Sequence, residues 1–361
     1  MNPDSETTAN IETTDSQNPA EAGESRSAAP PKLRVGFIGC GRAGVRRMHA
    51  LARFRDAETV FAADSQSESL ARLDPVLPAS VPRFFNGFEA LKAVPADAII
   101  ISTPPVFHEE LALAALETSC RCLLVEKPVT CTQSAARRLL LKTRERKACC
   151  KVGSNLRHFA EVQGLLALIR EGRLGRITSG SLQIGHDGSS LPSWGTNPAW
   201  SGGGTLLDNG VHVLDLARLI GLIPDRFEIE AAVEWLTNGI DRHATWTLDG
   251  AAGRYRFESS WRREDRTYLD IQLEGDAGKV RLLVCPGNSG LTYQGTEHSF
   301  QTRYVTPVDS WLGDTLHFLQ QAVAGKPPEA SLEDGMATVA LVEQIYLSAQ
   351  EGRRMEGKLL F

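Results

Sequence analysis

The sequence predicts an α/β protein in which a doubly wound parallel sheet is followed by an α+β domain with a broad, mostly antiparallel sheet. From Leu33 to Gly153, short β-rich runs alternate with amphipathic helical stretches, which is typical of a parallel sheet with crossover helices. Beyond Arg157, several β-rich runs follow one another without helices between them, which favours antiparallel pairing. A length of 361 residues suits two such domains.

The first domain is predicted over residues 33–153, and each of its elements has a local signal. Apolar, β-branched runs predict the strands Arg34–Ile38, Thr59–Ala63, Ala98–Ser102, Cys122–Val125 and Lys151–Gly153. Apolar residues at helical spacing predict the helices Gly44–Phe54, His108–Thr118 and Thr132–Arg146.

The second domain is predicted over residues 154–361. Its strands are expected at Thr178–Ile184, Phe227–Leu236, Tyr255–Trp261, Leu269–Leu273 and Lys279–Val284. One long apolar helix is expected between them at Thr205–Ile220, and two closing helices at Trp311–Ala324 and Leu332–Ala349.

Residues 1–32 differ from the rest in composition and are expected to form a disordered tail, since they are too polar to bury a core. They carry six acids and two bases, so the remaining residues have a net charge of -1. A nearly neutral body without a basic block argues against nucleic acid or an anionic membrane as a partner. The chain shows neither a secretory signal nor a membrane span, so a soluble, cytoplasmic protein is expected.

The cysteines form an odd set without the paired spacing of a zinc ribbon or a redox motif. Several lie in apolar runs, where thiols behave as small hydrophobic side chains. Free thiols are therefore expected at Cys40, Cys120, Cys122, Cys131, Cys149, Cys150 and Cys285.

A glycine-rich loop between the first strand and the first helix matches the dinucleotide-binding pattern G-x-G-x-x-G. Its glycines allow a tight turn, close approach of the backbone to a pyrophosphate and close helix packing. The helix amino terminus then offers unpaired N–H groups to the phosphates. The predicted phosphate-binding residues are Gly39, Cys40, Gly41, Arg42, Ala43 and Gly44.

Asp64 stands at the end of the second predicted strand, twenty residues after Gly44. A carboxylate there accepts hydrogen bonds from the ribose hydroxyls and repels a 2′-phosphate, so it favours NAD over NADP. The alternative is an acid that caps the helix following Ser65 or Gln66.

Two more strand ends reach the edge of the parallel sheet at which ligands bind. These are Ser102–Pro105 and Glu126–Pro128. A lysine at the second of them, Lys127, can stabilise an oxyanion or lower the pKa of a substrate hydroxyl. The alternative is a surface lysine paired with its neighbour Glu126.

Asp208 and His212 are four residues apart on the apolar helix of the second domain and therefore share one face of it, which Asp215 continues. A histidine with an oriented carboxylate is the arrangement of a general base. A core histidine with a helix-start aspartate is equally compatible, and Asp215 is taken as a helix-anchoring acid. A catalytic zinc would need three His, Cys or carboxylate ligands, and a lysine is not one, so no metal is expected.

From about Leu33 to the end, the chain resembles the Gfo/Idh/MocA oxidoreductases. Four motifs carry the resemblance in order: G-C-G-R-A-G at Gly39–Gly44, S-T-P-P-V-F-H at Ser102–His108, E-K-P at Glu126–Pro128, and G-G-G-T-L-L-D-N-G-V-H-V-L-D at Gly202–Asp215. The resemblance implies a Rossmann domain and a second domain whose large open sheet often mediates homodimers or homotetramers.

The resemblance also implies roles for single residues. His212 would take the proton of a substrate hydroxyl, Asp208 would orient its ring, and Lys127 would bind the same hydroxyl. The residues that would line NAD are Thr103, Pro104, His108, Glu126 and Lys127, the last of them beside the nicotinamide. The segment containing Asn155 and Arg157 would help shape the substrate site. Trp194 lies in a loop expected to cover the substrate, since aromatic faces suit sugar rings.

The activity that these expectations imply is hydride transfer between NAD and a hydroxyl carbon of a sugar, inositol or nucleotide sugar. Two alternatives remain open at this point. One is redox-neutral sugar chemistry with tightly retained NAD, and the other is a non-catalytic NAD-binding sensor.

Overall fold

The computed structural model describes residues 31–189, 191–251, 253–262, 268–296, 298–304 and 309–359, so the tail predicted over residues 1–32 lies almost wholly outside the described residues. The first domain is built on a parallel sheet whose strand order is β3-β2-β1-β4-β5-β6. Its strands are β1 Leu33–Ile38, β2 Ala57–Ala63, β3 Arg83–Phe84, β4 Ala98–Ile101, β5 Cys122–Glu126 and β6 Cys149–Gly153.

Helices cover this sheet on both faces, because the central strands are apolar on both sides. β4 is buried along its whole length and β5 along all but its first residue. The helices are α1 Arg42–Leu51, α2 Ser67–Ala71, α3 Gly87–Ala93, α4 His108–Leu116 and α5 Gln133–Glu145. The doubly wound parallel sheet predicted from the sequence is confirmed.

The second domain contains a nine-stranded sheet with the order β14-β13-β12-β11-β7-β10-β9-β8-β15. The pair β7–β10 is parallel and the other described pairs are antiparallel. The strands are β7 Ile177–Gly185, β8 Arg226–Trp235, β9 Asp241–Gly250, β10 Gly253–Ser260, β11 Tyr268–Gly275, β12 Gly278–Val284, β13 Ser289–Gly295, β14 Ser299–Tyr304 and β15 Met355–Lys358.

Among the described residues, the α-helices that accompany this sheet are α6 Ala160–Arg170, α7 Pro198–Ser201, α8 Val211–Leu219, α9 Ser310–Ala324 and α10 Leu332–Glu351. The sheet face beneath α6, α8 and α10 is apolar and forms the main core of the domain. α9 also packs against α1, and α10 against α5 and β6. The two closing helices therefore join the domains, and the boundary predicted at residue 153 stays a prediction.

The long helix predicted at Thr205–Ile220 is interrupted. Residues Leu206–Gly210 form a π-helical turn, and α8 continues from Val211. A π turn carries more residues than an α turn, so side chains four positions apart no longer lie one above the other. Asp208 therefore lies in a π turn and His212 in α8, instead of both on one continuous α-helix.

Candidate active site

The glycine loop has the shape that a pyrophosphate requires. Gly39 has φ +91°, and a Cβ added to it would lie 2.5 Å from the carbonyl oxygen of Ser102. A Cβ on Gly44 would lie 2.1 Å from the oxygen of Gly39, whereas one on Gly41 would meet no heavy atom within 4 Å. The first and third glycines thus allow close packing, and the middle one leaves the backbone open to a ligand.

Asp64 follows β2 and reaches this loop. Its Oδ2 accepts a hydrogen bond from the amide of Cys40 at 2.7 Å, and its Oδ1 accepts one from the amide of Gln66 at 2.9 Å. The second bond is made just ahead of α2, whose N-cap residue is Gln66 and which has no side-chain cap. The first places the carboxylate directly beside the glycine loop, where a ribose would follow the pyrophosphate.

His108 joins the two strand ends predicted to line the cofactor. Its Nε2 faces the carbonyl oxygen of Thr103 and its Nδ1 that of Pro128, both at 2.8 Å, and the ring is fully buried. Burial lowers the pKa of His108. His108 therefore fixes the strand exits at Thr103–Pro104 and Lys127–Pro128, a structural task; its contact with the cofactor stays a prediction.

Two hydroxyl groups in this crevice have no hydrogen-bond partner among the described residues. They are Ser102 Oγ and Thr103 Oγ1, and both are buried. Buried polar atoms are normally satisfied, so unpaired hydroxyls beside a glycine loop fit a polar ligand such as NAD. The residues present therefore suit the dinucleotide that the loop predicts.

Glu126 lies inside the protein. Its carboxylate forms a buried ion pair with Arg47 of α1, with Nε to Oε1 at 2.6 Å. Burial raises the pKa of Glu126, and Arg47 opposes that change. Arg47 also pairs with Asp314 of α9 at 2.8 Å. Glu126 thus anchors the end of β5, and its predicted contact with the cofactor stays a prediction.

Lys127 and Asp208 meet across the interface of the two domains. The ammonium group of Lys127 donates to Oδ1 of Asp208 at 2.8 Å and to its carbonyl oxygen at 2.7 Å. Oδ2 of Asp208 faces His186 Nε2 and Trp261 Nε1, each at 3.2 Å. Burial alone would raise the pKa of Asp208, but Lys127 and His186 hold it well below its ordinary value. Asp208 is therefore ionised.

His212 lies beside this pair without a hydrogen bond of its own in the described part of the chain, and it is 9% exposed. Burial and the charge of Lys127 lower the pKa of His212 to about 3. The ring is thus unprotonated at neutral pH and can accept a proton. Among the described residues, the carboxylate of Asp208 accepts from Lys127, His186 and Trp261 rather than from His212, so the orientation of the His212 ring by Asp208 stays a prediction.

Asp241 holds the backbone that carries Asp208. Its carboxylate is fully buried and accepts hydrogen bonds from the amides of Gly204 at 2.7 Å and Leu206 at 2.8 Å, and from the hydroxyl of Tyr346 at 2.6 Å. A Cβ on Gly204 would lie 1.8 Å from the carbonyl oxygen of Asp241. The glycines before Asp208 therefore permit this close approach, a long-range contact that has no local signal in the sequence.

Two of the residues predicted to shape the substrate site, Asn155 and Arg157, bind other side chains of the protein. Arg157 forms a bidentate pair with Asp215 at 2.8 and 2.5 Å and is 5% exposed. Asn155 is buried and donates to the hydroxyl of Ser310 at 2.9 Å. Both side chains are thus engaged within the protein, and Asp215 anchors its helix as expected. Trp194 is partly exposed in the loop before α7, and its contact with substrate stays a prediction.

Replacing Arg157 by methionine tests this structural assignment. The change leaves Asp215 as an unpaired buried charge, so the free energy of unfolding is expected to fall by about 3–5 kcal/mol. Denaturant titration measures it, and the double variant R157M/D215L is expected to recover part of the loss. Unchanged stability with a raised KM for substrate would instead make Arg157 a substrate contact.

Two further properties concern the described residues only. They include no group of three or more His, Cys, Asp or Glu side chains placed to hold a metal ion. None of the helices in those parts of the chain combines the length and the apolar character needed to cross a membrane.

Comparison with known proteins agrees with this architecture. The model of the GFO_IDH_MocA oxidoreductase family, NAD-binding Rossmann fold, matches residues 33–154, and that of the GFO/IDH/MocA C-terminal domain matches residues 162–281. The fold and site define an NAD-binding oxidoreductase. The chain belongs to the GFO/IDH/MocA family.

Individual relatives cover almost the whole chain. D-glucoside 3-dehydrogenase of Escherichia coli K12 is 26% identical over 357 residues, covering 90% of this chain and 97% of the relative. D-apiose dehydrogenase of Paraburkholderia graminis is 24% identical over 351 residues, covering 91% of each. A structure of levoglucosan dehydrogenase with NADH and L-sorbose has a TM-score of 0.80 at 19% identity, covering 91% of this chain and 99% of that one.

Proposed function

We propose that this protein is an NAD-dependent dehydrogenase that acts on a hydroxyl carbon of a sugar, an inositol or a nucleotide sugar. The observation that carries the proposal is the grouping of Lys127, Asp208 and His212. A charged ammonium group held at 2.8 Å by an ionised carboxylate lies beside a buried, unprotonated imidazole. A hydroxyl placed between them meets a cation and a base together.

Cofactor contacts are assigned to the carboxyl edge of the parallel sheet. The backbone of Gly39–Gly44 would hold the pyrophosphate, and Asp64 the adenosine ribose. The hydroxyl of Thr103 and the end of β5 at Lys127 would lie further along the same crevice. NAD, when bound, supplies the acceptor for the hydride that leaves the substrate carbon.

The protein's own residues handle the proton. Two of the three donor directions of the Lys127 ammonium group are used by Asp208. The third is available to the substrate hydroxyl, whose anionic form a nearby positive charge favours. His212, uncharged because burial and Lys127 lower its pKa to about 3, accepts the proton. The negative charge of Asp208 compensates the positive charge of Lys127, and its hydrogen bonds fix the direction of the ammonium group.

The substrate class rests on the relatives and on one loop. The relatives described above are named for carbohydrate substrates. In this chain, a loop joins β7 to α7. At its start, Nε2 of His186 lies 3.2 Å from Oδ2 of Asp208, and at its end, in α7, the ring of Trp200 packs edge-on against Phe107 at 5.8 Å. Trp194 lies between these two anchored ends. An aromatic side chain such as that of Trp194 suits the apolar face of a sugar ring.

The two alternatives are disfavoured. A sensor has no need of an ammonium group, a carboxylate and an uncharged imidazole brought together from separate parts of the chain. Redox-neutral chemistry would require the cofactor to stay bound through turnover, whereas both relatives compared above are named dehydrogenases.

An NADH assay tests the proposal. Purified protein is mixed with NAD and a panel of inositols, aldoses, sugar acids and nucleotide sugars, and absorbance of NADH is followed. Formation of NADH with one substrate class is the expected result. A panel without NADH formation, together with cofactor that remains bound through gel filtration, would favour the redox-neutral alternative.

Asp64 is expected to set the preference for NAD over NADP. Replacing Asp64 by asparagine keeps the shape and removes the charge that repels a 2′-phosphate, so kcat/KM for NADP relative to NAD is expected to rise roughly tenfold. Steady-state kinetics with both cofactors measures it, with D56N, a change at an exposed aspartate, as the matched control. A wild-type preference for NADP would contradict this role.

We also propose that the open face of the nine-stranded sheet joins copies of the chain into a homodimer or homotetramer. Side chains alternate along these strands: Tyr255 and Phe257 are buried, whereas Arg254 and Arg256 are exposed on the opposite face. A broad, mostly polar surface is thus left without a covering layer in the described structure. Light scattering is expected to give two or four times the 39.3 kDa of one chain, and a monomer would contradict the proposal.

We propose a cytoplasmic location because the cysteine thiols are free rather than joined in disulfides. All seven cysteines are free in the structure, and several are buried. Such a set suits a reducing compartment.

A further inference from the structure

His186 and Trp261 occupy equivalent positions at the ends of two neighbouring strands. β7 and β10 run parallel, with their last residues, Gly185 and Ser260, opposite each other. His186 directly follows β7, and Trp261 directly follows β10. Carboxyl ends of parallel strands meet at the same edge of a sheet, so both side chains leave the sheet together. Their rings lie 6.2 Å apart with an interplanar angle of 32°.

Both side chains lie within hydrogen-bond distance of the same oxygen of Asp208. Trp261 Nε1 donates to Oδ2 of Asp208 at 3.2 Å, and His186 Nε2 lies 3.2 Å from the same oxygen. The other oxygen, Oδ1, accepts from Lys127 at 2.8 Å. An indole N–H can only donate, so Trp261 stabilises the ionised form of the carboxylate.

The backbone determines which ring nitrogen of His186 carries the proton. The amide of Gly188 donates to His186 Nδ1 at 2.9 Å, and an N–H group can donate only to a nitrogen without a proton. The turn that brings this amide to the ring has φ +77° at Gly188, a conformation that favours glycine. The ring proton of His186 is therefore on Nε2, which faces Asp208.

We propose that His186 and Trp261 are positioning residues of the dehydrogenase site. They form hydrogen bonds to Oδ2 of Asp208 and thereby fix the carboxylate with its Oδ1 toward Lys127. His212 then remains free to accept the proton of the substrate hydroxyl. This inference rests on the proposed function and deepens it. Without these donors the carboxylate can turn, and Lys127 loses its fixed direction toward the hydroxyl.

Three variants test the role, namely H186L, H186Q and W261F. Losing one donor to the ionised carboxylate is expected to lower kcat roughly tenfold in H186L and in W261F, while the Kd of NADH stays near the wild-type value. Glutamine can still donate an N–H to Asp208, so H186Q is expected to keep a kcat well above that of H186L.

Matched controls separate positioning from a loss of packing. Trp246 is buried on β9, and its indole N–H has no hydrogen-bond partner among the described residues. W246F is therefore expected to keep the wild-type kcat even where Tm falls. H298L removes an exposed histidine and is expected to leave kcat unchanged.

A spectroscopic measurement adds a readout that does not depend on turnover. In the cofactor-free protein labelled with ¹⁵N-histidine, the H186Q spectrum identifies the His186 signals by their loss. At pH 8 the proton is expected on Nε2. A proton on Nδ1, an unchanged kcat in both H186L and W261F, or no recovery in H186Q would overturn the positioning role.

The two proposals fail in different ways. A wild-type protein that forms no NADH with any carbohydrate contradicts the proposed function and, with it, the positioning role. An active wild-type protein whose H186L and W261F variants are equally active contradicts the positioning role alone.

Discussion

Replacing Lys127 by methionine is expected to lower kcat by a factor on the order of 10²–10³, the usual cost of removing one group that stabilises developing negative charge. Methionine matches the length of lysine but provides neither the charge nor the donor. It also leaves Asp208 without the partner that lies 2.8 Å from its Oδ1. Steady-state kinetics at saturating cofactor measures the loss.

Two controls accompany K127M. Titration of NADH fluorescence shows whether the cofactor still binds, as expected if the glycine loop and Asp64 provide most of the cofactor contacts. K92M changes an exposed lysine on α3 and is expected to keep full activity. A K127M protein with more than a small fraction of wild-type kcat would remove Lys127 from the reaction.

Replacing His212 by asparagine is expected to lower kcat for oxidation of the hydroxyl by a factor on the order of 10²–10⁴, the usual contribution of a placed general base. An amide cannot take up the proton that the ring accepts. The same change at His49, an exposed histidine of α1, provides the matched control. An H212N protein with wild-type kcat would show that another group takes the proton.

The pH dependence gives an independent test of His212. Burial and Lys127 lower its pKa to about 3, although Asp208 and Asp314 oppose the change. A lowered pKa keeps the ring unprotonated, and thus able to act as a base, as the pH falls well below the ordinary histidine value of about 6.5. The profile of kcat/KM should therefore show no loss from His212 between pH 7 and pH 5. An acid limb near pH 6.5 that disappears in H212N would contradict this.

The sequence predicted most elements of the first domain because each has its own signal. Apolar runs such as that of β4 and amphipathic helices such as α5 are recognisable without tertiary contacts. Three short elements have no such signal: β3 has only two residues, α2 has five and α3 has seven. They offer too few positions for a periodicity to appear.

The missed strands of the second domain have different causes. β14 is exposed at nearly every position, so it lacks the alternation that marks a half-buried strand. β9 does alternate, with Ala244, Trp246 and Leu248 buried, so its sequence does carry the signal of a half-buried strand. β15 depends on a glycine, Gly357, that lies under the ring of Phe227, which only the folded structure reveals.

The grouping of Lys127, Asp208 and His212 could be predicted from motifs, but the contacts within it could not. Asp208 bonds to His186 and Trp261 because β7 and β10 pair in one register, and register is a long-range property. The π-helical turn at Leu206–Gly210 likewise has no periodic sequence signal. The hydrogen-bond partners of Asp208 and the shape of its turn therefore could not be predicted from the sequence.

Direct transfer of hydrogen from substrate to cofactor is the central claim, and isotope labelling tests it. A carbohydrate that forms NADH with this enzyme is prepared with deuterium on the carbon that bears the reacting hydroxyl. Mass spectrometry of the cofactor released after turnover is expected to find the deuterium in NADH, in wild-type protein but not in K127M or H212N at the same reaction time. Deuterium that appears in water, or that stays in a rearranged sugar while the cofactor remains unlabelled, would contradict the claim.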